Sequence, residues 1–152
     1  MAGPATSDAW HRTRLRWPIL PPMRLLLVRH AEAAPGDPDE LRPLTSAGRE
    51  QARRVAQELV RERPDVVLSS PLLRARETAD AIARAAGIDA EPSQRLAPGA
   101  TAEDVLVAVA GRGETVVVVA HQPDCGRIAA ALREGEEPAF PPAGVAVIDL
   151  GA

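Results

Sequence analysis

Four side chains in this sequence have the chemistry to hold and transfer an anionic group: Arg29, His30, Arg74 and His121. A neutral imidazole can act as a nucleophile or a hydrogen-bond donor, and a guanidinium offers a planar fork of donors that matches phosphate oxygens. Of the three histidines, His11 lies near the N-terminus, and the other two each follow a short aliphatic run. Such runs read as strands, and ligands of open parallel sheets gather beyond the carboxyl ends of the strands. Arg74 falls in the first turn of a predicted helix, where unpaired N–H groups and the positive dipole end already favour an anion. Together the four describe a cradle for an oxyanion.

The elements that must position them follow from periodicity. From Met23 onward, short aliphatic runs alternate with amphipathic stretches, which predicts an α/β fold with a mostly parallel central sheet covered by helices. The first strand is predicted over 24–29. A helix is predicted over 46–62, with Ala52, Val55, Ala56, Leu59 and Val60 on one face and Pro64 as its stop. A second strand over 65–69 leads to Ser70 as an N-cap and Pro71 at the first helical position, with Gly87 closing that helix. Thr101 and Asp104 resemble a capping box that opens a helix reaching about Ala110. Residues 115–120 form the most apolar strand, Asp124 caps a helix to about Arg133, and a last strand over 143–150 follows the proline-rich turn 138–142. The count is about four helices and four or five strands.

Bulk composition narrows the function classes. The chain of 152 residues is 45% hydrophobic and 26% charged, which suits one globular domain. A formal charge of -3, no tyrosine and a single phenylalanine argue against nucleic-acid binding. No apolar stretch approaches the roughly 20 residues of a membrane span. One cysteine, Cys125, permits no internal disulfide, so a reducing, cytoplasmic setting is expected. Residues 1–22, which hold both tryptophans and three of the prolines just before Met23, read as a tail; Met23 is equally plausible as the start, leaving 23–152 as the domain.

Four blocks then carry a resemblance. Leu27-Val28-Arg29-His30-Ala31-Glu32 resembles the RHG signature of the histidine phosphatase superfamily, with Ala31 in place of the glycine. Arg42-Pro43-Leu44-Thr45 with Gly48, the run from Ser69 to Thr78, and Val119-Ala120-His121-Gln122-Pro123 match further blocks of that family in order. The chain is most similar to the SixA-type branch, bacterial phosphohistidine phosphatases, through its short length, its RPLT block and its lack of a long insertion. The resemblance implies a three-layer α/β/α, phosphoglycerate-mutase-like fold.

It also implies roles. His30 would attack phosphorus in line to form a phosphohistidine intermediate, Arg29 and Arg74 would neutralise the equatorial oxygens, and His121 would donate hydrogen bonds until water releases phosphate. Arg42 is balanced between a substrate contact and a loop anchor. Relatives that cleave alkyl phosphates use a carboxylic acid to protonate the leaving oxygen; Glu32 and Asp104 are the candidates here. A phosphohistidine substrate needs less acid help, because imidazole leaves readily. No carboxylate cluster suited to magnesium is present, so neither metal nor cofactor is expected. The leading expectation is a phosphatase acting on a phosphorylated protein such as a histidine phosphotransfer domain. A small-molecule phosphomonoesterase and a non-catalytic phosphate-binding module are the alternatives.

Overall fold

A computed structural model describes residues 20–151. The tail reading, including Trp10 and Trp17, therefore lies outside the described residues except for its last three positions. Five strands form one sheet in the order β3-β2-β4-β1-β5, namely β1 (Met23–Arg29), β2 (Val66–Ser69), β3 (Ala90–Pro92), β4 (Thr115–Ala120) and β5 (Val145–Leu150). β1 to β4 run parallel, and β5 pairs antiparallel with β1. The helices are α1 (Ser46–Leu59), α2 (Leu73–Ala86), α3 (Ala102–Val109) and α4 (Asp124–Arg133).

Strand alternation divides the core into two layers. Leu25, Leu27, Leu68, Val116 and Val118 point to one face, where they pack with Val105 and Val109 of α3 and Ile128 of α4. Leu26, Val28, Val67, Val117 and Val119 point to the other, against Val55 and Leu59 of α1 and Ala75, Ala79 and Ile82 of α2. The result is the expected three-layer α/β/α sandwich. Strands buried on both faces explain the uninterrupted valine run of β4, all four of whose valines are fully buried.

Local signals fared unevenly. The capping box of α3 is formed in both directions between Thr101 and Asp104. α1 ends at Leu59 and tightens into a 3-10 turn over Val60–Glu62, after which Arg63 turns left-handed before Pro64. α2 begins at Leu73, later than the proline signal suggested: its N-cap is Leu72, with no side-chain cap. The Ser70 hydroxyl instead accepts from the Leu72 N–H at 3.2 Å and turns toward His121. Asp124 is the first residue of α4, not its cap, and its carboxylate accepts from the Gly99 N–H at 2.7 Å, tying down the loop before α3. The edge strand β3 and the 3-10 turn Asp39–Leu41 had no counterpart in the sequence reading.

Candidate active site

The sheet register brings the chemistry together. β4 lies between β1 and β2, with Arg29 opposite Ala120 and Ser69 opposite Val119. The next residue of each strand, His30, His121 and Ser70, therefore emerges at one place on the carboxyl edge. Backbone bonds lock these exits, with the His30 N–H donating to Ala120 O and the Ser70 N–H to Val119 O, both at 3.0 Å. The His30 and His121 rings meet edge to face with centroids 5.2 Å apart.

Each ring is held by one nitrogen. His30 Nδ1 lies 2.7 Å from Ala31 O, a carbonyl that can only accept, so Nδ1 carries the proton and the lone pair resides on Nε2. Burial lowers the His30 pKa to about 4, and the charges of Arg74, Arg29 and Arg42 push in the same direction. His30 is thus a neutral imidazole at physiological pH. His121 is buried and meets the Ser70 hydroxyl through Nε2 at 2.8 Å; burial, then the proximity of His30 and Arg74, lowers its pKa to about 3.

The arginines approach from three elements. Arg29, at the end of β1, donates through Nη1 to Phe140 O at 2.9 Å, while its buried Nε has no partner among the described residues. Arg74 is buried in the first turn of α2 and donates to Asp39 O at 2.9 Å and to Asp39 Oδ2 at 3.1 Å. Arg42 donates to Ala34 O at 2.8 Å and to Asp39 Oδ1 at 3.0 Å, and its charge reaches His30. Asp39 is therefore a carboxylate shared by two arginines. Its hydrogen bonds to Arg42 and Arg74 hold its carboxyl below the ordinary range.

Arg29, His30, Arg74 and His121 are brought into one cluster, with Arg42 at its margin. The two carboxylates considered as acids each have a hydrogen-bond partner of their own. Glu32 accepts from the Thr45 hydroxyl at 2.7 Å on the exposed surface. Asp104 closes the capping box and meets Arg95, and the Thr101 N–H bond leads in holding its pKa below the usual carboxylate value.

Supporting residues were missed as such by the sequence reading. The buried Thr78 hydroxyl accepts from the Ala31 N–H at 3.0 Å and donates to Arg74 O at 2.8 Å, linking the turn after His30 to the helix that carries Arg74. Glu77 accepts from the Leu44 N–H at 2.8 Å and anchors the loop that holds Arg42. Both lie inside the Ser69 to Thr78 block, so the signal was present without a role attached. Ala31, which stands where the resemblance expects glycine, is fully buried against Leu44 and Ala52.

Comparison with known proteins agrees with this arrangement. The profile of the Histidine phosphatase superfamily (branch 1) matches residues 25–98. A solved structure of a candidate phosphohistidine phosphatase SixA from Agrobacterium tumefaciens is 34% identical, with a TM-score of 0.72 over 84% of this chain and 92% of that one.

The chain belongs to the histidine phosphatase superfamily.

Within that superfamily its build is SixA-like and its activity is that of a phosphatase. The protein histidine phosphatase SixA, solved with tungstate, is 29% identical, with a TM-score of 0.76 over 85% of this chain and 89% of that one. Phosphoserine phosphatase 1 of Hydrogenobacter thermophilus is 40% identical over 83 residues, covering 49% of this chain and 37% of its own length. Among the described residues, no helix is long and apolar enough to cross a membrane, and no three histidine, cysteine or acidic side chains group as metal ligands do.

Proposed function

We propose that this phosphatase removes phosphoryl groups from phosphohistidine on a protein, through a phosphohistidine intermediate on His30. The observation that carries the reading is the neutral His30, protonated on Nδ1 by its 2.7 Å bond to Ala31 O, with its Nε2 lone pair free amid three arginines. In the first step Nε2 attacks phosphorus, the bond from phosphorus to the substrate imidazole breaks, and that imidazole leaves with its electron pair. In the second, water attacks the phosphorylated His30, inorganic phosphate departs and the lone pair returns to Nε2. Arg29 and Arg74 neutralise the phosphoryl oxygens, and His121 donates to them. Arg29 Nε, buried without a partner, is a donor that a phosphoryl oxygen would satisfy. Arg42 stands behind Asp39 and adds charge rather than a required contact.

Asp39 and Asp104 favour a nitrogen leaving group. Asp39 and Asp104 are both held below their ordinary pKa, so each is ionised near neutrality and is a poor proton donor. An alkoxide needs a proton as it leaves; imidazole needs it far less. The arginines supply the charge neutralisation, with His121 adding a hydrogen bond, and we propose that no metal is required. A phosphorylated carrier such as a histidine phosphotransfer domain is the proposed partner, and the cytoplasm the proposed location, the lone Cys125 being free and buried. Residues 23–152 are taken as the catalytic domain.

A second reading, hydrolysis of a small phosphomonoester, draws on the likeness to phosphoserine phosphatase 1. Phosphate release from a phosphohistidine-bearing protein, phosphoserine and p-nitrophenyl phosphate, each with H30A as control, separates the two. Release from phosphohistidine that is abolished by H30A is expected. Preference for phosphoserine would transfer the assignment to the second reading, and no turnover of any substrate would leave a phosphate-binding module.

A further inference from the structure

Ser70 has so far been a failed helix cap, yet it is fully buried and its hydroxyl touches a histidine of the site. Hydrogen-bond accounting gives it a definite task. A serine hydroxyl has one proton and two lone pairs. One lone pair takes the Leu72 N–H at 3.2 Å, and Oγ lies 2.8 Å from His121 Nε2. Were Nε2 protonated, Ser70 would accept twice and its own proton would be buried without an acceptor among the described residues. Were Ser70 to donate to an unprotonated Nε2, the hydroxyl and Nε2 would both be satisfied, the arrangement that buried polar atoms overwhelmingly adopt, and the remaining ring proton would sit on Nδ1, which has no protein partner among the described residues.

We infer that Ser70 is a positioning residue: its O–H donates to His121 Nε2, which fixes neutral His121 as the Nδ1–H tautomer and makes Nδ1–H the donor offered to a bound anion. The backbone holds Ser70 to this task, because its N–H is bonded to Val119 O at 3.0 Å and its hydroxyl is braced by Leu72. The same hydroxyl serves a charged ring. If His121 gains a proton on Nε2 when a dianion arrives, the hydroxyl rotates and accepts from it at the cost of a partner for its own proton, whereas alanine offers Nε2 no partner in either state. The inference rests on the proposed role of His121 at the phosphoryl group, but the tautomer itself does not.

The test has two arms. Long-range proton–nitrogen NMR of the 15N-labelled full chain near neutral pH reports which ring nitrogen is protonated, with H121A and H30A assigning the signals. The expected result is Nδ1–H at His121 in the wild type and a redistribution toward Nε2–H in S70A; a wild-type Nε2–H tautomer overturns the inference without any Ser70 variant. In the second arm, tungstate affinity is measured calorimetrically. S70A is expected to weaken it about five- to tenfold, the worth of one ordinary hydrogen bond, with S70T restoring most of the loss. In an H121A background S70A is expected to change nothing further; a loss that persists there would make Ser70 merely structural and overturn its positioning role. An H121A protein that binds tungstate like the wild type would instead sink the functional reading of His121, leaving the tautomer to the NMR result.

Discussion

Replacing Thr78 with valine keeps the shape and β-branching of the side chain and deletes one hydroxyl. That hydroxyl is fully buried and is the acceptor for the Ala31 N–H at 3.0 Å. Valine leaves this donor orphaned beside Leu44 and Ala52, an apolar setting that water does not reach. A buried donor without a partner costs about 1–3 kcal/mol. The second bond, to Arg74 O at 2.8 Å, adds little, because a carbonyl inside α2 keeps its helical partner. Destabilisation of about 2 kcal/mol is therefore expected, with T78S close to wild type because it retains the hydroxyl. Urea unfolding followed by circular dichroism reads this as a lower midpoint at unchanged slope. Activity should fall too, and through kcat more than KM, because Ala31 O is the group that orients His30. A T78V protein within about 0.5 kcal/mol of wild type, the ordinary scatter of harmless substitutions, would refute the bridging role given to Thr78.

Further consequences are direct. A Cβ at Gly48 would lie 2.0 Å from Glu32 O, a backbone atom that cannot swing away, so G48A is expected to lose about 1–3 kcal/mol by urea unfolding. The His30 and His121 pKa values fall to about 4 and about 3, so between pH 6.5 and 4 the unfolded chain binds protons that the folded chain refuses; stability is expected to drop as pH falls through that window, measured by thermal melts across it. Site-resolved mass spectrometry of histidine acylation by diethylpyrocarbonate should accordingly find His30 reactive as a neutral ring down to about pH 4, where an unperturbed histidine would lose reactivity near 6.5. Cys125 is fully buried with its thiol pushed up to about 12, so a thiol reagent is expected to titrate it only in denaturant.

Legibility in the sequence tracked the range of the interaction. The valine run of β4 and the apolar stripes of α1 and α2 were readable because burial on a regular element imposes a period on the chain itself. The four residues proposed to handle the anion were readable because each lies at a strand's carboxyl end or opens a helix. What escaped depends on partners distant in sequence. Asp39 meets Arg74 across 35 positions, and no local pattern states which of many acidic residues an arginine will meet. β3 has three residues, a proline among them and none fully buried, so it leaves almost no periodic trace. Ser70 misled for a physical reason: serine before proline is a sound cap signal, but its hydroxyl had a buried histidine within reach and took that bond instead.

The electrostatics of the cluster tie these pieces to the proposed chemistry. Two imidazoles 5.2 Å apart in a buried site beside Arg74 do not both take on a positive charge, so the resting cluster keeps its positive charge on arginine and its imidazoles neutral. Part of that charge is already answered by Asp39, which bridges Arg42 and Arg74. A phosphoryl dianion entering the cluster reverses the balance: it becomes the largest local charge, favours protonation of the ring that does not attack, and competes with Asp39 for Arg74. His30, whose Nδ1 proton is committed to Ala31 O, keeps its lone pair on Nε2 through this change, while His121 is the ring that can take up a proton. The division of labour between two chemically identical side chains thus comes from what holds the far nitrogen of each, a backbone carbonyl for His30 and a hydroxyl able to donate or accept for His121.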